Sequence, residues 1–477
     1  MVSQQSLLHS LAIAMIATGA TTLFAADEKG CIQIDDKNPR YWQYKGQPVL
    51  LLGGSKTDHI FLAEGLQEHL DEIAAVGANY VRNTMSQREG VDLKPHLRLT
   101  SGKFNLDRWN DGYWRRFTDC LRWCDKRDIV IQIEVWDRFD FSREHWEISP
   151  WRPQNNINYT GEETGLAAAY PAHPSRDLQP FFHTVPGMDR YDGVKSDRIR
   201  NYQERFVEKM LAESLEYPNV LYCMNNETST DPKWGRFWMT FIRNRAKREG
   251  ATVFCTDMFD DVWNPKQSQK LRMALDDPKT YPFLDVSQVN SRTFNEDQWD
   301  NIIWIAQQRE AHPRPLNHTK IYSDGQKSFG TGTPVDGVER FWRNLIAGSA
   351  SVRFHRPDSG IGLNDIAKAC IRAARKAESR IPLWEVDPAM DLLDNREPDE
   401  AYLAACPGEK YLLYFTDGGS VTLDLTGHPQ MFDMRWISVS TGDWGQTTTL
   451  TGGSKVDISA PGKSGWVATI VRRQPRR

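Results

Sequence analysis

Asn225-Asn226-Glu227 closes the apolar run Val220-Leu221-Tyr222-Cys223-Met224. A carboxyl delivered by a buried run, with two amides beside it, is placed to move a proton or attack a carbon while the amides hold hydroxyl groups. A second acid, Asp324, closes another such run in "KIYSDGQ". Two carboxyl groups flanking one bond are what cleavage of a glycosidic linkage requires, one giving a proton and the other acting as base or nucleophile. Glu134, Asp137 and Asp257 lie at the ends of other apolar runs and compete with Asp324 for the second place. Further groups at such ends suit the holding of a sugar. Arg82, Asn226, Asp137, Asn290 and His355 offer hydrogen bonds, and Trp136 and Trp151 offer flat apolar faces. Arg138, Arg292, Arg353 and Arg356 fall in the same places, which suits an anionic sugar, uronic or sulfated, because a guanidinium fork matches carboxylate and sulfate. Each has a plainer use: Glu227 as a rim ion pair, the Trp side chains as core, the Arg residues as partners of neighbouring acids.

Other chemistries find no support. No His-x-His or other set at ligand spacing points to a metal, and no Gly-x-Ser-x-Gly elbow points to a serine hydrolase. No Gly-rich phosphate loop follows the first apolar run, and no cofactor is implied. The net charge is -4 with both signs mixed, so no basic block exists to grip nucleic acid. The seven cysteines contain no Cys-x-x-Cys pair, and buried free thiols are expected for most, including Cys120 and Cys124 one helical turn apart. Residues 6–25 are apolar and are followed at once by "ADEKG", the pattern of a secretory signal spanning residues 1–25, although no Lys or Arg precedes the run. The expectation is a secreted or periplasmic chain with no membrane anchor after signal removal and no second long apolar segment, a retained anchor being the alternative.

The elements that must position these groups repeat in order. Strands are expected at 49–54, 78–84, 129–135, 219–225, 251–256, 283–289, 319–323 and 349–354. Helices are expected at 65–76, 111–127, 202–216, 232–249, 265–276, 296–311, 334–347 and 364–379. Strict alternation of apolar strands with helices predicts an α/β fold, a (β/α)8 TIM barrel over residues 26–390, with catalytic groups at the C-terminal ends of its strands. The long third connection, about 138–200, is expected to build a site wall, a lid or a covering lobe. From 394 to 477 the texture changes to short strands joined by Gly, Asp and Ser turns, a small all-β sandwich domain.

The Asn226-Glu227 pair ending the fourth strand, with Arg82 ending the second, resembles the signature of the clan A glycoside hydrolases. The segment "NPRYWQYKGQPVLLLGGS", residues 38–55, is similar to the start of apiosidase-like barrels of that clan. The tail around "GDWGQ" and "GWVATIVRR" resembles the collagen-binding-type β domain often appended to them. The resemblance spans roughly 38–475. It implies that Glu227 is the general acid/base, with a raised pKa, and that a Glu nucleophile ends strand seven. This chain has Asp324 there instead. Aspartate is one methylene shorter, about 1.5 Å, which widens a retaining gap of about 5.5 Å toward the inverting range of about 6.5 Å or more.

The reading is a secreted glycoside hydrolase acting on a poly- or oligosaccharide through Glu227 and Asp324. A non-catalytic carbohydrate-binding barrel and a polysaccharide lyase are the alternatives. The missing strand-seven Glu motivates the first of these.

Overall fold

The structure, a computed structural model, describes residues 30–86, 88, 92–188, 191–323 and 330–474. The apolar run at 6–25 and Asp324 lie outside the described residues. Eight parallel strands form one sheet: β1 (Leu51–Gly54), β2 (Tyr80–Thr84), β3 (Val130–Asp137), β4 (Val220–Asn226), β5 (Cys255–Thr256), β6 (Leu284–Asp285), β7 (Leu316–Ile321) and β8 (Ser351–Phe354). Their order is β5-β4-β3-β2-β1-β8-β7-β6, and a single parallel bridge from Met258 to Asp285 joins the two edges. This is a nearly closed (β/α)8 barrel. The helices that follow the strands are α1 (Leu66–Ala75), α2 (Asp111–Asp125), α3 (Ser196–Ser214), α4 (Lys233–Arg248), α5 (Gln269–Asp276), α6 (Asn295–Arg309), α7 (Pro334–Ile346) and α8 (Asp365–Glu378).

Local chemistry sets several boundaries. Thr333 and Asp336 form a capping box, and Pro334 takes the first helical position of α7, where its missing N–H costs nothing. β1 must pass close to β2: a Cβ on Gly53 would lie 2.1 Å from the Tyr80 carbonyl oxygen. The expected strand 49–54 is split. Gln47–Val49 belongs to a small antiparallel sheet with Gln33–Ile34 and Trp42–Tyr44. That sheet plugs the N-terminal end of the barrel with Trp42, whose indole donates to Asn317 Oδ1 at 2.9 Å and packs on Phe254 and Phe283. β6 is shorter than expected because Asp285 Oδ1 accepts from the Ser287 N–H at 3.1 Å and turns the chain into the short 3-10 helix Ser287–Asn290.

The strands are buried on both faces, but the barrel interior is polar. Tyr80 Oη donates to Gln132 Oε1 at 2.7 Å, and Gln132 Nε2 donates to Asp285 Oδ2 at 2.7 Å. Arg82 on β2, Glu134 on β3 and Arg353 on β8 lie nearer the C-terminal mouth, all fully buried. The connection from β3 to α3 carries two short helices, Arg143–Ile148 and Gly161–Thr164. Its Phe141, Trp146, Trp151, Phe181 and Phe182 pack together and against the aromatic side chains of α3 and α4, which makes it a covering lobe.

After α8 the strands are antiparallel and form a β domain. One sheet has the order Asp387–Pro388, Ala401–Cys406, Lys410–Phe415, Trp466–Arg472, Met431–Ser438, Trp444–Thr451. A second contains Leu393–Asp394, Ser420–Asp424 and Lys455–Ser459. The domain leans on α7. Tyr414 stacks on Trp342 with ring centroids 5.6 Å apart, and Arg343 bonds both Glu339 (2.6 Å) and Asp399 (3.0 Å). Cys120, Cys124, Cys223, Cys255 and Cys370 are buried free thiols. Among the described residues no helix is long and apolar enough to cross a membrane.

Candidate functional site

Glu227 follows the last residue of β4 and adopts φ +60, a left-handed conformation that costs a non-glycine residue about 1–2 kcal/mol. The next residue returns to extended pairing: Thr228 donates its N–H to the Met258 carbonyl at 2.6 Å and bridges Phe259. The one-residue kink therefore turns Glu227 alone out of the strand path, at the barrel mouth. Three donors converge on its carboxylate. Lys320 Nζ donates to Oε1 at 2.7 Å, Tyr322 Oη donates to Oε1 at 3.0 Å, and Arg138 Nη2 donates to Oε2 at 3.1 Å. Lys320, 1% exposed, rises from inside β7 and also bonds Asn226 Oδ1 at 2.6 Å. Arg138 is shared with Asp260, whose Oδ2 accepts from Nη1 at 3.0 Å. Tyr322 Oη also accepts from Gln288 Nε2 at 3.0 Å.

Burial pushes the Glu227 carboxyl up, but Lys320 and Arg138, with the hydrogen bonds from Lys320 and Tyr322, outweigh it and hold the group well below its ordinary 4.5. The expected raised pKa is corrected: in this arrangement Glu227 is an ionised carboxylate, suited to act as base, nucleophile or charge stabiliser. Burial and the nearby Glu227 charge keep Tyr322 a phenol, well above 10.

Beneath this cluster lies a second one. Arg82, 1% exposed, bonds Glu134 through Nε and Nη2 at 2.5 Å each and pairs with Asp58. Asp58 also faces Arg353 (3.1 Å), His355 (3.4 Å) and Arg356 (3.5 Å). Burial would raise the Asp58 carboxyl, but Arg82 first, then the His355 contact and Arg356, hold it well below the usual carboxylate range. Burial drives His355 down to about 4, so it is neutral at physiological pH, and its ring meets Tyr322 edge-on at 4.9 Å. Asp137 pairs with Arg88 at 2.5 Å and accepts from the Phe139 N–H at 3.0 Å.

The structure thus brings together Glu227, Asn226 and, through Tyr322, His355 and the Asp58–Arg82 cluster. Four expected sugar contacts lie buried among protein partners in this structure. Arg82 is spent on Asp58 and Glu134. Trp136, 3% exposed, packs against Phe206, Trp234 and Trp238, between β3 and the helices α3 and α4. Trp151, 1% exposed, packs against His96 and Phe181. Asn290 is fully buried, donating to His318 Nδ1 (3.0 Å) and the Lys320 carbonyl (3.1 Å) and accepting from Asn344 (2.8 Å). Asp137 and His355 are also nearly buried, with their polar atoms turned to Arg88 and Asp58. Lys320, Tyr322, Gln288 and Asp260 were not anticipated. The signal for Lys320 was a lysine inside the otherwise buried segment "TKIYS". Among the described residues no group of three or more His, Cys, Asp or Glu is arranged to hold a metal ion.

Residues 98–295 match a family model described as a domain of unknown function, DUF6298. That span includes β3 to β6 and Glu227 but not Lys320. No curated protein sequence matches the chain. The fold is similar to that of a glycoside hydrolase family 5 protein from Bacteroides vulgatus ATCC 8482, with TM-score 0.61 and 12% identity over 93% of each chain. A second structure, described as a glycoside hydrolase, is similar with TM-score 0.61 and 12% identity, over 93% of this chain and 97% of that one. At this identity the likeness establishes the barrel and its appended β domain, and nothing about activity.

Proposed function

We propose that this chain is a glycoside hydrolase that works from an ionised Glu227. The observation that carries the reading is the kinked Glu227 at the barrel mouth, with Lys320, Arg138 and Tyr322 converging on its carboxylate. Catalytic groups of (β/α)8 barrels sit at this end of the strands, and a carboxylate kept charged can attack an anomeric carbon or deprotonate water. The fold neighbours described as glycoside hydrolases support the class by analogy alone. The leaving oxygen then takes its proton from a second group, for which Asp324, two residues beyond Tyr322, is the candidate. Asn226 holds Lys320 against Glu227. The apolar run at 6–25 supports export, with the enzyme meeting its glycan outside the cytoplasm.

The test compares wild type, Glu227→Gln and Glu227→Ala on a panel of oligosaccharides, with products followed at the anomeric proton by NMR. Both variants should lose turnover by about a thousandfold or more. Azide added to Glu227→Ala then assigns the role. A glycosyl azide of inverted configuration marks Glu227 as nucleophile or base, and the anomer first released by wild type, retained or inverted, decides between them. A glycosyl azide of retained configuration marks it as the acid/base, and requires that substrate opens the pair with Lys320. Variants as active as wild type would put the site elsewhere. The ion pair also favours a second reading, a carbohydrate-binding barrel without turnover, because it neutralises the carboxylate. Glycan binding that yields no product and is unchanged in Glu227→Gln would establish it, and an unsaturated, ultraviolet-absorbing product would instead mark elimination.

A further inference from the structure

Among the described residues, the cations around Glu227 are matched to acids or to backbone carbonyls. Arg82, Arg88, Arg138, Arg353, Arg356 and Lys320 each lie within ion-pair distance of at least one carboxylate. Arg292 differs: it is exposed, and among the described residues no carboxylate pairs with it. Its guanidinium lies over the ring of Trp263, 5.2 Å from the centroid. Trp263 differs too. Of the 17 Trp, all within the described residues, it is the one left exposed, at 38%. Burying a free indole face is favourable, so an exposed one held by a cation is a surface with something to gain from a ligand.

Both residues stand at the C-terminal mouth. Trp263 ends the short 3-10 helix Asp260–Trp263 that follows β5, and Arg292 follows the 3-10 helix Ser287–Asn290 after β6. They therefore straddle the seam where the barrel is joined by the single Met258–Asp285 bridge. The backbone presents Arg292 deliberately: φ is +63, and its N–H donates to the Gly330 carbonyl at 2.9 Å. The patch is connected to the proposed centre. Asp260, which bonds Arg138, starts the same turn that ends at Trp263, a rise of about 6 Å over three residues. Arg138 in turn bonds Glu227.

We infer that Trp263 and Arg292 form a subsite for an anionic sugar unit, uronic or sulfated, of a glycan whose neighbouring unit lies at Glu227. The sugar ring lies on the exposed indole, and its carboxylate or sulfate meets the unpaired guanidinium, whose planar fork fits either group. The inference rests on the reading of the mouth as a glycan site.

The test measures equilibrium binding by titration calorimetry, on wild type and on a Glu227→Gln background that suppresses turnover. The probes are galacturonate oligomers against their methyl esters, and sulfated galactan oligomers against the desulfated form. Each pair keeps the ring and removes the charge. At least one anionic probe should bind about five- to tenfold more tightly than its neutral counterpart, the pair identifying which group is read. Arg292→Gln should abolish that preference and leave the neutral arm unchanged, and Arg292→Lys should restore part of it. Trp263→Ala should weaken both arms by about tenfold. Arg292 is exposed, so melting curves of its variants should match wild type, and Trp263→Ala, which removes a ring only 38% exposed, should melt lower in a single transition. A wild type without anionic preference, or a preference that survives Arg292→Gln, overturns the subsite. Preference without any turnover keeps the subsite and removes hydrolysis. Hydrolysis of neutral glycans without preference does the reverse.

Discussion

Lys320→Met asks whether the cation holds Glu227 in place. The ammonium is 2.7 Å from Glu227 Oε1, 2.6 Å from Asn226 Oδ1, and 1% exposed, whereas the Glu227 side chain is 18% exposed. At an effective dielectric of about 20, two charges at this separation attract by at most about 6 kcal/mol. Desolvating the ammonium and the partial access of water to the carboxylate cancel much of that, leaving a coupling of about 2–3 kcal/mol. Glu227→Gln strands a buried ammonium and should cost about 3 kcal/mol. Lys320→Met leaves Glu227 with Arg138 and with water, and should cost about 1–2 kcal/mol. The double variant should be more stable than the sum of the two losses by the coupling energy. Urea unfolding of the four proteins, compared by midpoint at constant slope, measures this. Losses that add to within about 0.5 kcal/mol would refute the reasoning. The pH dependence is also fixed in sign. Glu227 is held below 4.5 in the fold, so its contribution is complete above that value and is lost as pH falls through it toward the lowered one. The coupling should shrink in acid and stay constant from neutral to mildly basic pH.

Asp257, beside the Glu227 turn, accepts from Thr228 Oγ1 at 2.5 Å, and burial pushes its carboxyl up to about 7 from 3.8. The folded chain then holds this proton more tightly than the unfolded one, so stability should fall as pH rises between those values; a melting-temperature series should show that slope flattened in Asp257→Asn. Gly53→Ala sets a Cβ 2.1 Å from the Tyr80 carbonyl oxygen and should cost about 2–4 kcal/mol by urea unfolding. Arg343→Met strands Glu339 and Asp399 between α7 and the β domain. It should cost about 3 kcal/mol and separate the calorimetric unfolding of the two parts.

The eight barrel strands and eight helices were legible because each has its own local pattern, apolar runs of β-branched residues alternating with amphipathic segments. Less legible were two short local hairpins. Val49 reads as the start of the strand 49–54, yet it belongs to Gln47–Val49, which pairs with Trp42–Tyr44. The hairpin His96–Arg98 with Phe104–Trp109 carries polar residues that hide its alternation. In the site, Glu227 and Asn226 could be named because they end a strand. Trp136 and Trp151 read as open faces because sequence gives a residue's place along a strand but not which helices cover it, and the lobe after β3 closes over both. The Arg residues posed the same difficulty. Arg82 and Arg353 read alike with Arg292, and only tertiary neighbours separate paired guanidiniums from the unpaired one. The lowered Glu227 pKa needed Lys320, which lies 93 residues further along the chain.

α7 connects β7, which carries Lys320, to β8, which leads to His355, and its outer side holds Trp342 against Tyr414 of the β domain. The two parts are therefore not interchangeable cassettes. A barrel stripped of its appended domain would expose Trp342 and leave Arg343 short of a counter-ion, an invitation to self-association. Grafting a foreign β domain would succeed only if it brought its own Tyr414 and Asp399 counterparts. Inheritance should keep the pair together, with substitutions on one side of the seam answered on the other.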